Sequence, residues 1–149
     1  MKNIGIWIDK RVAKIVSIEN GIERLETLLS QVEDYHIGGG SGTKFKGGPQ
    51  DVVQDSKYLE REKLQLKTYF KTIASEIKDS DAIVLFGPAE IKDKFNKALN
   101  ASYKDLSAKV KDVVTADSMT KRQVKAWVKA FYKKLLPKLL LAAWSYYLF

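Results

Sequence analysis

The chain has 149 residues, no cysteine and one histidine, with 26 Lys and Arg against 18 Asp and Glu. That length suits one domain able to bury a core without cross-links, and 45% hydrophobic residues with three prolines exclude a disordered or collagen-like chain. Without cysteine there are no disulfides, no thiol catalysis and no Cys-based zinc sites, and a lone histidine excludes a histidine-pair metal centre. The reading expects no metal and no small-molecule cofactor, and the composition fits a reducing, cytoplasmic setting.

Met1–Ile4 opens without the long apolar run of a secretory signal. Ile4, Ile6 and Ile8 then alternate with Gly5 and Trp7, so 3–9 reads as a strand. Lys10-Arg11 is a short turn, and 12–18 is a second β-branched run. Asn20-Gly21 suits a tight hairpin whose two central residues need positive φ. A third strand follows over 22–29, completing an antiparallel meander.

Hydrophobic periodicity then stops. Residues 34–56 hold six of the nine glycines, at Gly38, Gly39, Gly40, Gly42, Gly47 and Gly48. So long a structureless stretch inside a compact domain is usually functional or disordered. Lys44 and Lys46 add positive charge to backbone that glycine lets approach phosphate closely. Neither the P-loop ending nor the dinucleotide fingerprint is present. A tolerated surface loop, an RNA-contacting loop and a nucleotide-binding loop without either fingerprint are the readings left open.

Periodicity resumes over 57–78, where Leu59, Leu66, Phe70, Ile73 and Ile77 fall within about 60° of one another on a helix. Asp55 or Ser56 is the expected cap. Lys57, Arg61, Lys67 and Lys71 gather on another face with Glu60 among them, either a phosphate-tracking row or an ordinary solvated face. Ile83-Val84-Leu85-Phe86 reads as a buried central strand. Pro88 suits a helix start, and 90–99 reads as a helix with Ile91, Phe95 and Leu99 inward. Residues 110–114 form a fifth strand. Asp117 or Ser118 would cap a last helix carrying Val124, Trp127, Val128 and Phe131. The order β-β-β, long loop, α-β-α-β-α implies one mixed five-stranded α/β sheet of the ribonuclease H-like class, with helices packed on it.

The charge is uneven. Residues 1–100 hold 16 basic and 15 acidic residues, whereas 101–149 hold 10 basic and 3 acidic ones. Such asymmetry points to a polyanionic partner, or to a lysine-rich solvated face.

Three stretches carry a resemblance. Gly5-Ile6-Trp7-Ile8-Asp9-Lys10-Arg11-Val12-Ala13-Lys14-Ile15 resembles the opening of small bacterial translational machinery proteins. These belong with the central domain of the eukaryotic and archaeal class-one peptide chain release factor and of Pelota. Phe86-Gly87-Pro88-Ala89-Glu90-Ile91-Lys92-Asp93-Lys94-Phe95 resembles that group's strand-to-helix signature, and Ala116-Asp117-Ser118-Met119-Thr120 with Gln123 and Phe131 its final helix. The likeness covers about residues 3–132, leaving 133–149 as an apolar extension. It implies a cytoplasmic protein that meets the ribosome, transfer RNA or ribosomal RNA through Lys44, Lys46, Lys57, Arg61, Lys67, Lys71 and the last helix.

In the release factor the long loop carries a Gly-Gly-Gln tripeptide that helps water attack the peptidyl-transfer-RNA ester. Here the corresponding residues are Gly47-Gly48-Pro49-Gln50. The resemblance therefore implies either a non-catalytic binding module or a hydrolase with Gly47, Gly48 and Gln50 at its centre. Pro49 breaks the tripeptide, removing a backbone N–H and fixing φ.

Two features fall outside that frame. Asp9 ends the first strand, where a two-metal nuclease would need convergent carboxylates, with Glu19, Asp81, Asp112 and Asp117 as partners. The competing reading is an Asp satisfying its own turn. In the tail 135–149 the apolar run from Leu139 to Phe149 is too short to span a bilayer, which takes about 20 residues. Lys133, Lys134 and Lys138 before it, with Trp144, Tyr146 and Tyr147 after, suit a membrane surface or self-association.

Overall fold

The computed structural model describes residues 1–32 and 49–148, with side chains for 1–32 and 56–135. Five strands form one sheet: β1 (Lys2–Ile8), β2 (Val12–Glu19), β3 (Ile22–Leu29), β4 (Ala82–Gly87) and β5 (Val110–Thr115), in the spatial order β3-β2-β1-β4-β5. The first three strands are antiparallel, with Gly5 opposite Val16 and Val16 opposite Leu25. β4 then adds parallel to β1, and β5 parallel to β4. This is the mixed α/β sheet of the ribonuclease H-like class, as the element order led us to expect. The β2–β3 turn has Asn20 at φ 52° and Gly21 at φ 78°, the geometry that an Asn-Gly pair favours.

Strand alternation sends alternate residues to two separate cores. Ile4, Ile6 and Ile8 join Ile15, Ile83 and Leu85 on one face. Against them pack Leu66, Phe70, Ile73 and Ile77 from α1 (Pro49–Glu76) and its end, and Ile91, Phe95 and Leu99 from α2 (Ile91–Ser102). Leu106 from the single turn α3 (Lys104–Ser107) closes that side. Trp7, Val16, Val84 and Phe86 point the other way, onto Val124, Val128 and Tyr132 of α4 (Lys121–Leu148). There Phe86 stacks on Trp127 with centroids 3.9 Å apart.

Several contacts pin α4 to the strands. The Tyr132 hydroxyl donates to the Ile4 carbonyl at 2.6 Å, and the Trp7 indole donates to the Asp117 carbonyl at 3.1 Å. Lys14 lies over the Trp7 ring, with Nζ 4.9 Å from its centroid, and donates to the Met119 carbonyl at 2.7 Å.

Three expectations need correction. α1 starts at Pro49, not at 57, so Asp55 and Ser56 are helical and do not cap it; proline is a favoured first helical residue because its missing N–H is not needed there. Leu59 is 56% exposed despite sharing the apolar stripe. The last helix is capped by Thr120, not by Asp117 or Ser118: Gln123 N–H donates to Thr120 Oγ1 at 3.2 Å, and Thr120 N–H donates to Gln123 Oε1 at 2.9 Å. That reciprocal pair is a capping box. α4 also runs on past residue 132, with Pro137 inside it.

Candidate nucleic-acid interface

The geometry of the α1 face follows from a mismatch of lengths. α1 has 28 residues and measures about 42 Å, whereas β1 with 7 residues measures about 23 Å. The Tyr69 hydroxyl donates to the Asp9 carbonyl at 3.2 Å, so Tyr69 is level with the end of β1. The helix is longer than the strand by about 20 Å, so its N-terminal part, before the buried Leu66, runs past that end of β1. Leu59 is exposed because its stripe has run off the strands.

A brace holds the projection. Lys10 Nζ donates to the Tyr58 hydroxyl at 3.1 Å and lies 3.5 Å from Glu62 Oε1. Partial burial pulls the Lys10 ammonium down, but the Tyr58 hydroxyl and the Glu62 carboxylate outweigh it and hold its pKa above the ordinary lysine value. Tyr58 itself is buried. Lys10 starts from a turn that is itself locked: Asp9 Oδ1 accepts from the Arg11 and Val12 N–H groups at 2.8 and 2.7 Å. Beside it Ser30, at the exit of β3, is buried; its N–H donates to the Arg11 carbonyl at 2.8 Å and its hydroxyl to the Lys10 carbonyl. The exit of β3 and the Tyr58–Glu62 turn of α1 are thus tied to one corner.

Lys57, Arg61, Lys67 and Lys71 are all exposed, within about 120° of one another on α1. Lys67 and Lys71 make no ion pair among the described residues. Leu64, 65% exposed, sits in the middle of this face and borders a 500 Å³ groove whose other wall is Leu28 and Leu29 of β3. Sequence reading missed both the groove and the Lys10 brace. The brace joins residues 48 positions apart, which no local pattern can signal.

Gly47, Gly48, Lys44 and Lys46 lie outside the described residues, as does His36. Gln50 belongs to the first turn of α1 and not to the loop before it.

Of the carboxylates named with Asp9, Asp117 follows β5 with its carbonyl accepting from the Trp7 indole at 3.1 Å, and the other three lie elsewhere on the sheet. Glu19 and Asp81 both sit beside Lys2, at the opposite end of β1. Asp112 lies inside β5, its Oδ1 accepting from the Val113 N–H at 2.8 Å. Among the described residues no cluster of three His, Cys, Asp or Glu could hold a metal. Asp9 satisfies its own turn, as the competing reading expects.

No protein-family profile matches the sequence, and no curated protein matches it. Among solved structures the fold is similar to that of Pelota from Archaeoglobus fulgidus, with a TM-score of 0.62 at 13% identity over 99% of this chain and 37% of that one. An archaeal translation termination factor, aRF1, is similar with a TM-score of 0.49 at 12% identity, over 97% of this chain and 42% of that one. The chain thus spans little more than a third of the Pelota chain, and with that part of Pelota it shares a fold.

Proposed function

We propose that the chain is a translation-associated binding module that meets the ribosome, or transfer or ribosomal RNA, in the cytoplasm. The contact runs along the exposed face of α1 and the glycine-rich segment before it, through Lys44, Lys46, Lys57, Arg61, Lys67 and Lys71. The observation that carries this reading is the exposed basic face of α1, on which Lys67 and Lys71 make no ion pair among the described residues, continued by Lys57 and Arg61 on the stretch that runs past the sheet. Phosphate contacts of this kind supply affinity without sequence choice. The Pelota-like fold, and the motif resemblance to translational machinery proteins, supply the translation context.

Binding is favoured over ester hydrolysis. The hydrolase reading asks Gly47, Gly48 and Gln50 to work as a pliant loop, whereas Pro49 and Gln50 begin a helix. Residues 133–149 are an extension to this module, suited to self-association or a membrane surface; among the described residues no helix is long and apolar enough to cross a membrane.

The test is co-sedimentation with ribosomes in sucrose gradients at low salt. The Lys67→Glu/Lys71→Glu variant and the Arg61→Glu/Lys67→Glu variant should both shift to the top of the gradient. An unchanged distribution of both refutes the interface. Peptide release measured on the same fractions, with Gly47→Ala/Gln50→Ala as control, reinstates the hydrolase reading only if wild type releases peptide and the variant does not.

A further inference from the structure

α4 carries a denser positive field than α1. From 121 to 135 it has six cations (Lys121, Arg122, Lys125, Lys129, Lys133 and Lys134) and no Asp or Glu. Over 57–78 the α1 region offsets its six cations with Glu60, Glu62 and Glu76. Position matters as much as number. Arg122, Lys125, Lys129 and Lys133 are spaced three or four residues apart, so they rise along one flank in steps of about 5–6 Å and stay within about 80° of one another. Three of the four are exposed, and Lys125 is half-buried. Among the described residues one carboxylate reaches this row: Glu23 of β3, with Oε1 3.0 Å from Lys129 Nζ.

We infer that this flank of α4 is a nucleic-acid phosphate-binding site, on the opposite side of the sheet from α1. A row of cations one helical turn apart can follow successive phosphates of a single strand, and each contact releases counterions. Glu23 pairs with Lys129 in the free protein and yields that lysine to phosphate in the complex. An anionic lipid surface fits less well. A surface-seeking helix inserts its apolar face between lipids, but here Val124, Val128 and Tyr132 are buried on the strands. The site goes beyond the function proposed above, because it stands whether or not α1 touches RNA.

The experiment measures the salt dependence of binding to a fluorescein-labelled RNA hairpin, using the full chain. Substituting Arg122→Gln/Lys125→Gln/Lys133→Gln should lower the slope of log affinity against log salt by about 2–3, at about 0.7–0.9 per lost phosphate contact. Lys133→Gln alone, at an exposed position, should lower it by about 0.7–0.9 and serves if the triple variant fails to fold. The Lys67→Gln/Lys71→Gln pair reports separately on α1. A slope that falls for the α1 pair but not for the α4 variants overturns the inference and leaves the α1 reading intact; the reverse result supports the inference and removes α1. Loss of binding to phosphatidylserine vesicles in the α4 variants, with the RNA slope unchanged, also overturns it.

Discussion

Gly5 tests how α4 is seated. It lies at the centre of β1 on the face that α4 covers, and a Cβ built there would stand 2.3 Å from Val128 Cγ2, 2.8 Å from Cγ1 and 3.0 Å from Cβ. Because all three side-chain carbons crowd the same point, no rotation of Val128 clears it. Overpacking of this sort costs about 1–3 kcal/mol, and the loss of glycine's chain entropy returns about 0.5–1 kcal/mol. Gly5→Ala should therefore destabilise by about 1–2 kcal/mol net, lowering Tm by about 2–8 °C for a chain of this size. Val128→Ala alone removes two methyl groups from the core, for about 2 kcal/mol. In the double variant the new methyl occupies the vacated space, so the combined loss should fall short of the sum by about 1 kcal/mol or more. Urea unfolding of the four proteins closes the cycle. Strict additivity, or a Gly5→Ala variant as stable as wild type, would mean that α4 does not sit on β1 as described.

Two further outcomes concern the same region. Thr120→Ala removes the capping box and should cost about 1 kcal/mol in urea unfolding, with Gln123→Ala recovering part of the same loss because the two side chains act on one helix start. Burial raises the pKa of both Tyr69 and Tyr132 well above the usual phenol value of 10.0, with the Asp9 carboxylate adding to the rise at Tyr69. The unfolded chain then loses these protons first. The stability they contribute is complete below about pH 10 and falls above it, by about 1.4 kcal/mol per pH unit for each tyrosine. Tyr132→Phe should flatten that fall in alkaline denaturation, while costing about 1–2 kcal/mol at neutral pH for the unanswered Ile4 carbonyl. An unchanged alkaline slope would contradict the buried setting of this hydroxyl.

The sheet could be read from sequence because its signals are local. Ile4, Ile6 and Ile8 announce a strand by alternation alone, and Asn20-Gly21 announces a reversal by the φ angles it tolerates. The start of α1 was harder, since Gln50-Asp51 and Gln54–Ser56 are polar and blur the helical period, and a glycine run beside them reads as loop. The Thr120-x-x-Gln123 capping box was present in the sequence but was passed over for Asp117, whose carbonyl instead receives the Trp7 indole. α3 is a single turn, too short for any period. The candidate interface divides in the same way. The cations of α1 were visible as a pattern, whereas the stretch past the sheet that carries Lys57 and Arg61 depends on where the sheet ends, and the Lys10 brace depends on contacts across 48 residues. Glu19 and Asp81 are far from Asp9 for a topological reason: residues on strands beside β1 can still lie at its far end.

Two basic faces on opposite sides of one sheet should act independently. A helix, a sheet and a second helix stack to roughly 30 Å, several times the Debye length of about 8 Å at physiological salt. Neither face should feel phosphates bound to the other, so losses of salt slope from α1 and α4 variants should add. Independence also sets the stoichiometry. One chain at physiological salt should take up two short RNA hairpins, one on each face, because a rigid sheet prevents the two helices from closing on one ligand. Sedimentation velocity with labelled hairpin in excess reads this directly. Variants in α4 alone or in α1 alone should each bind one hairpin. A wild-type complex that saturates at one hairpin would mean that only one of the two faces is used, and the single-face variants identify which.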